Sequence, residues 1–334
     1  MEIKLLKSYI ELNASDPKLA SLIINKELQN QDLLLNKIKN KIIVKRLEPK
    51  CSRKLFAADS GYNNAYGSPF TVIKSAIVDD EINVEKSKNI YLFHANNYSS
   101  DRLKRLLMQV NLFQLIAKKI EQIEESSLFL VDGTITLSVF APTSKDTKEY
   151  KNLFQTFIDE SYWPIIRNCL SKDILLLGFL KSTGSNFLCR NIDIKDLYDI
   201  YVMNSVLSKS GEYIPPIPIT NSGSNRFINL DYVTFFLNLK DWNYRFELID
   251  QQKNKYVECI ENLLFWSTKT HYGMNPIFSK ADEYSRVTRR DAEIMFNLII
   301  SDLSEENKAK LRLIAKKKTH FGYGQNNIAN KLTK

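Results

Sequence analysis

The sequence lacks the features that mark membrane-spanning and secreted proteins. No run of about 18 apolar residues occurs in its 334 residues, which argues against a transmembrane helix and a membrane partner. The opening residues, MEIKLLKSYIELNASD, lack the apolar core of a secretory signal peptide. We therefore expect a cytoplasmic protein. The chain also lacks internal repeats and an obvious interdomain linker.

Cysteine is scarce, and its positions exclude a common class of metal site. The four cysteines are far apart and none forms a CxxC pair, which argues against zinc binding. In a reducing cytoplasm such thiols stay free and pack as small hydrophobic side chains. The residues concerned are Cys51, Cys169, Cys189 and Cys259.

The composition that remains is that of a basic, folded protein. Hydrophobic residues make up 44% of the chain and charged residues 25%, which excludes an intrinsically disordered protein. The formal net charge is +9. A basic protein favours polyanionic partners, most often nucleic acid, although charge alone does not establish one.

Hydrophobic periodicity predicts an α/β fold with a mixed sheet flanked by helices and a helical extension at the N-terminus. Three strands with short links come first, and strands and helices then alternate. The Pro-rich segment 213–225 is predicted to be a surface loop. The predicted strands are 54–59, 69–78, 89–95, 128–134, 173–182, 228–238 and 243–249, and the predicted helices are 17–47, 99–127, 145–168, 251–268, 278–300 and 305–316.

Two of the predicted strands end in an aspartate. Asp59 is followed by Ser-Gly, and Asp132 is followed by Gly-Thr. In open α/β sheets, sites form where strands end, so the two carboxylates are expected to lie close together. Close carboxylates repel unless a cation neutralises them, and Mg²⁺ or Mn²⁺ is the usual solution. Such a site supports phosphoryl transfer. The alternative is that each aspartate only caps a turn.

The helix between these strands carries a polar residue on its apolar stripe. Gln114 lies seven residues after Leu107 and three before Ala117, so it is predicted to face the sheet. It is then either a satisfied buried glutamine or a third site residue directed at Asp59 and Asp132.

The order of these segments has the outline of an RNase H-like fold and resembles one family, the NurA nucleases, over roughly residues 50–300. The resemblance implies a helical segment at 1–50, a nuclease domain at 51–300 and a C-terminal helix with a basic tail at 301–334. It is carried by AADSGYNNAYG, LFLVDGTI, LLLGFLKSTGS with Lys181, YRFEL with Arg245 and Glu247, and GMNPIFSKADEYSRVT.

NurA proteins are manganese-dependent nucleases, mostly archaeal, that form toroidal dimers. They work with the hexameric translocase HerA in DNA end resection and repair. The resemblance therefore implies Mn²⁺ or Mg²⁺ as cofactor, DNA as substrate, a HerA-like partner and a homodimer.

The family's site residues carry over in part. Its first-strand Asp falls on Asp59, its Asp-Gly acid on Asp132, and its helix Glu on Gln114. The Tyr of its Gly-Tyr-Pro segment falls on Met274, and the His of its Ala-His pair falls on Asp282. The alternative holders of the last two roles are Tyr272 and His271.

These departures leave two functions open. Gln in place of Glu removes one negative charge from a site for divalent cations, whereas Asp in place of His keeps an oxygen ligand. The chain is then either an altered nuclease or a family member that binds DNA or a partner without cleaving.

Four basic residues are candidates for DNA contact. Lys181 follows a buried strand, and the others follow Asp282 in a segment predicted to be one helix, on which Arg286 and Arg290 share a face. The arginines could instead pair with Asp282, Glu283 and Asp291. The four are Lys181, Arg286, Arg289 and Arg290, and the aromatic candidates for base stacking are Tyr62, Tyr66 and Tyr98.

Overall fold

A computed structural model of the chain describes residues 38–64, 70–92, 100–123, 126–181, 185–192, 198–219, 230–240, 242–267, 273 and 275–311. The chain divides into two compact units. The first unit comprises Met1–Cys51, Phe179–Thr220 and Asp231–Gly273, and the second comprises Ser52–Gly178, Asn221–Leu230 and Met274–Lys334. The boundaries at 50 and 300 stay predictions.

The strands and helices alternate as an α/β fold requires, and the predicted mixed sheet flanked by helices is confirmed. The strands are β1 (Lys45–Arg46), β2 (Lys54–Asn64), β3 (Phe70–Asp79), β4 (Val84–Leu92), β5 (Ser127–Asp132), β6 (Ile174–Leu180), β7 (Glu212–Pro218), β8 (Tyr232–Leu239) and β9 (Trp242–Ile249). The helices are α1 (Ser100–Gln122), α2 (Lys148–Phe157), α3 (Trp163–Ser171), α4 (Phe187–Asn191), α5 (Asp199–Val206), α6 (Tyr256–Ser267), α7 (Pro276–Ser285) and α8 (Arg289–Ser301).

The second unit is built on the strand order β6-β5-β2-β3-β4, although the last two residues of β6 belong to the first unit. Strands β2, β3 and β4 form an antiparallel meander, whereas β2 and β5 are parallel. Strand β5 reads SLFLVD and is buried up to its final aspartate. A near-continuous apolar run suits a strand that is covered on both faces.

Helices cover both faces of the meander. Helix α1 packs on β2 and β3, where its Leu107 meets Ile73. Helices α7 and α8 also pack on β2 and β3, and Val72 contacts Val287 and Ala292. Because neighbouring residues of a strand point to opposite faces, Ile73 and Val72 separate the α1 face from the α7 face.

The first unit holds β1, β7, β8 and β9, paired antiparallel in that order. Its core includes residues of α4 and α5, among them Leu188 and Val202. Strand β9 carries the buried ion pair of Arg245 with Glu247, and the Arg245 Nε donates to Thr234 Oγ1 over 3.2 Å. Each charge therefore has a partner inside the core.

Several sequence predictions are wrong in detail, among them the strand predicted over 89–95, which begins five residues earlier as β4 (Val84–Leu92). The helix predicted over 17–47 gives way at Lys45–Arg46 to β1, which pairs with β7, and residues 1–37 lie outside the described part. The segment predicted to be a Pro-rich loop begins instead with strand β7. Two prolines lie between Ile214 and Ile217 and cannot donate ladder hydrogen bonds, and the pairing of β7 with β8 shifts its register there, which lets the strand contain them. The helix predicted over 278–300 is two helices, α7 and α8.

The described residues also bear on the packing of the cysteines and on membrane-spanning helices. Cys169, Cys189 and Cys259 are buried, as expected for thiols that pack as small hydrophobic side chains, whereas Cys51 is exposed. Within the ranges that the structure describes, no helix combines the length and apolarity needed to cross a bilayer.

Candidate metal centre

Asp59 and Asp132 are brought together by the register of β2 and β5. The parallel pairing runs from Lys54 with Ser127 to Ala58 with Val131, so Asp59 and Asp132 follow as the next pair. Strand β5 ends at Asp132, but β2 continues to Asn64 along β3. The prediction that Asp59 ends its strand is therefore wrong, because β3 still pairs with β2 where β5 no longer does.

The third acid comes from α7. Asn275 caps this helix by accepting a hydrogen bond from the Ile277 backbone N–H at 2.8 Å, and Pro276 occupies its first turn. This start places Asp282 in the last turn. Ligand oxygens of Asp59, Asp132 and Asp282 all lie within 4.8 Å of one another. Asp59 is buried, and the other two are half-buried.

Ser285 and Gly61 hold α7 against β2. The Ser285 hydroxyl donates to Asp59 Oδ2 at 3.0 Å, and Asp59 Oδ1 accepts from the Ser60 backbone N–H at 2.6 Å. A Cβ added at Gly61 would lie 2.8 Å from the Ser285 carbonyl oxygen. The absence of a side chain at Gly61 thus permits the approach that puts Asp282 beside Asp59. No sequence signal pointed to either residue.

Arg286 is bound to the acid cluster formed by Asp59, Asp132 and Asp282. Its guanidinium donates to Asp282 Oδ2 at 2.9 Å, while 68% of the Arg286 side chain stays exposed, so that solvent and ligands can reach it. Arg289 pairs with Glu293 at 3.3 Å. Arg286 and Arg289 thus both have acidic partners, and Arg286 has the predicted partner Asp282. Arg290 is exposed.

The prediction that Arg286 and Arg290 share a helix face is wrong. Helix α7 ends at Ser285, because the next residue, Arg286, is extended with ψ near 127°, and α8 begins after Thr288. Thr288 and Asp291 form a capping box that fixes this new start. The backbone N–H of Thr288 and the ammonium of Lys74 bind the Asp291 carboxylate and lower its pKa.

The prediction that Gln114 faces the sheet is also wrong, because Gln114 is exposed. The residues of α1 without exposed surface include Leu106, Phe113 and Ile116, whereas Leu107 of the predicted stripe is 9% exposed. Gln114 lies on the same side of α1 as Leu107, about two turns further along the helix than the contact of Leu107 with Ile73.

Gln109 is a buried amide of α1 that lies beside the turn following Asp132. It is 3% exposed, and its Nε2 donates to the Thr134 carbonyl at 3.4 Å, two residues beyond Asp132. The neighbouring Met108 carbonyl accepts from the Ser60 hydroxyl at 3.4 Å, one residue beyond Asp59. The spacing of Leu106, Gln109, Phe113 and Ile116 is the signal that could have identified it.

The acid cluster fits a hard divalent cation. Two oxygen ligands of one Mg²⁺ are at most about 4.2 Å apart, so the carboxylates need only small side-chain rotations to share an ion. Carboxylate oxygens suit Mn²⁺ as well. Three acids in so small a volume repel one another, and the contact of Arg286 with Asp282 offsets part of that charge.

The remaining candidates are Lys181, four tyrosines and the residues at 271 and 274. Lys181 is exposed just after β6 and belongs to the first unit. Tyr62 packs on the Ile73 and Leu107 core, which favours a structural role. The candidates outside the described residues are Tyr66, Tyr98, His271, Tyr272 and Met274.

Comparison with solved structures identifies this architecture. The NurA nuclease from Sulfolobus solfataricus superposes with a TM-score of 0.61 at 16% identity, covering 86% of this chain and 97% of that one. The chain has the fold of the NurA nucleases. NurA bound to dAMP and manganese matches with a TM-score of 0.58 at 12% identity, covering 89% of this chain and 99% of that one.

A further NurA structure, with manganese, has a TM-score of 0.54 at 12% identity and covers 86% of this chain and 98% of that one. No family model and no curated protein sequence matches the chain. The likeness to NurA is therefore one of fold, at sequence identities where activity does not follow from fold.

Proposed function

We propose that the protein is a metal-dependent DNA nuclease of the NurA type that hydrolyses phosphodiester bonds. The observation that carries this proposal is the acid cluster, with ligand oxygens within 4.8 Å of one another. The NurA fold and the manganese in two of the NurA structures support it.

The roles of the residues follow from their contacts. Asp59, Asp132 and Asp282 would hold Mn²⁺ or Mg²⁺, and a bound ion supplies activation of water and charge neutralisation at the phosphate. Ser285 fixes the orientation of the Asp59 carboxylate. Arg286, which is exposed beside Asp282, can turn from that carboxylate to a substrate phosphate.

The assembly proposed with this activity is a homodimer that works with a HerA-like hexameric translocase in DNA end resection. Twofold dimers are the commonest oligomers, and the net charge of +9 favours a polyanionic substrate. The exposed basic residues proposed to help bind DNA are Lys181, Arg286, Arg289 and Arg290.

A direct assay tests the proposed activity. Purified protein should shorten linear DNA in Mn²⁺ or Mg²⁺ and leave it intact in EDTA, because a divalent ion is required at the acid cluster. Fragment lengths on a denaturing gel measure this, with and without a translocase partner. Intact DNA under every metal condition would contradict the proposal.

The alternative function is a DNA-binding or regulatory subunit of a translocase complex that has lost cleavage. It is favoured by Gln109, because a neutral amide occupies this buried position beside the turn that follows Asp132 and is only a weak ligand for a hard ion. DNA binding without metal-dependent cleavage would support this alternative.

Gln109→Glu is expected to raise Mn²⁺ affinity about tenfold, because it adds a buried carboxylate near the turn that follows Asp132. Calorimetric titration with Mn²⁺ measures the change. Gln114→Glu is the matched control: it makes the same charge change on an exposed part of the same helix and should alter affinity little. Equal effects of the two variants would rule out a special role for position 109.

A further inference from the structure

Three lysines lie on the face of the sheet that bears Asp59, and two of them, Lys86 and Lys88, belong to β4. Directly paired residues of neighbouring strands point to the same face, and adjacent strands are about 4.8 Å apart. The backbone of Lys86 is therefore about 10 Å from that of Asp59. The paired rows across β2, β3 and β4 are Asp59–Ala76–Lys86 and Gly61–Lys74–Lys88.

Among the residues that the structure describes, Lys86 and Lys88 contact uncharged groups. The Lys86 ammonium lies 3.8 Å from the centre of the Tyr284 ring, and the Lys88 ammonium lies 2.9 Å from the Met295 sulfur. Neither partner carries a charge. Both lysines are exposed, in contrast to the half-buried Lys74, which pairs with Asp291.

The lysines also adjoin the helix that supplies Asp282. Tyr284, beneath Lys86, is two residues beyond Asp282 on α7, and Met295 is on α8. A polyanion that approaches the acid cluster meets repulsion from its three carboxylates. Positive charge on the adjoining edge of the sheet supplies the attraction that such an approach requires.

We infer that Lys86 and Lys88 bind the phosphate backbone of the nucleic-acid strand that reaches the acid cluster, an inference that rests on the proposed nuclease function. The two residues are about 6.7 Å apart along β4, which lets each ammonium contact its own phosphate. The nucleic-acid strand thus passes over the exposed edge of β4 beside α7.

A second explanation for lysines at this position is protection of the edge strand. Lysines on an exposed edge prevent pairing with another chain, and β4 is the last strand in the order of the second unit. Glutamate is also charged and therefore also opposes pairing at an edge. Reversing the charge therefore keeps edge protection and removes phosphate binding.

The test measures binding of a short, fluorescein-labelled single-stranded oligodeoxynucleotide by anisotropy in EDTA, where no cleavage occurs. Lys86→Glu with Lys88→Glu should weaken binding about tenfold and reduce the slope of log affinity against log salt by about 1.4. Lys148→Glu with Lys151→Glu makes the same charge change on exposed lysines of α2 and should have little effect. Lys86→Arg with Lys88→Arg should bind as the wild type does.

Several outcomes would overturn the inference: unchanged binding in the Lys86 and Lys88 glutamate variant, an equal loss in the α2 variant, or a large loss in the arginine variant. The wild type failing to bind would overturn it too. Cleavage in Mn²⁺ is measured separately. If the Lys86 and Lys88 glutamate variant binds more weakly but the wild type does not cleave, the inference is supported and the proposed nuclease activity is contradicted. If the wild type cleaves but the variant binds normally, the activity is supported and the inference is contradicted.

Discussion

Asp132→Asn should reduce metal-dependent cleavage by at least about a thousandfold. A bound ion contributes several kcal/mol to stabilising the transition state, and each 1.36 kcal/mol corresponds to a factor of ten in rate. The substitution keeps the shape of the side chain but removes one charge from the acid cluster. Initial rates with linear DNA across a Mn²⁺ titration measure the loss.

The same variant should separate metal binding from folding. Without metal, its melting temperature should equal or exceed that of the wild type, because one repelling carboxylate is gone. With Mn²⁺, the rise in melting temperature seen for the wild type should be largely absent. Asp159→Asn makes the same charge change at an exposed site and should leave both quantities unaltered. A normal Mn²⁺ response in Asp132→Asn would exclude Asp132 as a ligand.

Gly61→Ala should destabilise the protein by about 1–3 kcal/mol and weaken Mn²⁺ binding. The added Cβ would lie 2.8 Å from the Ser285 carbonyl oxygen, a backbone atom that no side-chain rotation can move. This cost exceeds the gain of about 0.5–1 kcal/mol that alanine brings to a strand interior. The end of α7 must then shift away from β2 and take Asp282 with it.

Urea unfolding and Mn²⁺ calorimetry measure these two effects. Because the ligands are displaced and not removed, saturating Mn²⁺ should restore much of the activity of Gly61→Ala, unlike that of Asp132→Asn. Gly61→Val, with two further methyl groups, should be more severe. Wild-type stability and Mn²⁺ affinity in both Gly61 variants would show that the contact with Ser285 does not position Asp282.

The sequence predicted most of the sheet because its strands are long apolar runs with clear ends. Strands β3, β5, β6, β8 and β9 fall within a few residues of their predicted positions. The errors occur where tertiary pairing overrides local preference. Turn-forming residues after Asp59 continue β2 because β3 pairs with them, and two prolines are accommodated in β7 by a shift in register.

The sequence alone determined the pair Asp59 and Asp132, because each follows an apolar strand and parallel strands bring such residues together. Only the tertiary structure decided which parts of α1 and α7 meet that pair. A wide buried arc on α1 leaves the inward residue ambiguous until packing selects Gln109 over Gln114. The place of Asp282 depends on a contact between Gly61 and Ser285, which are more than 200 residues apart, and no local pattern encodes such a contact.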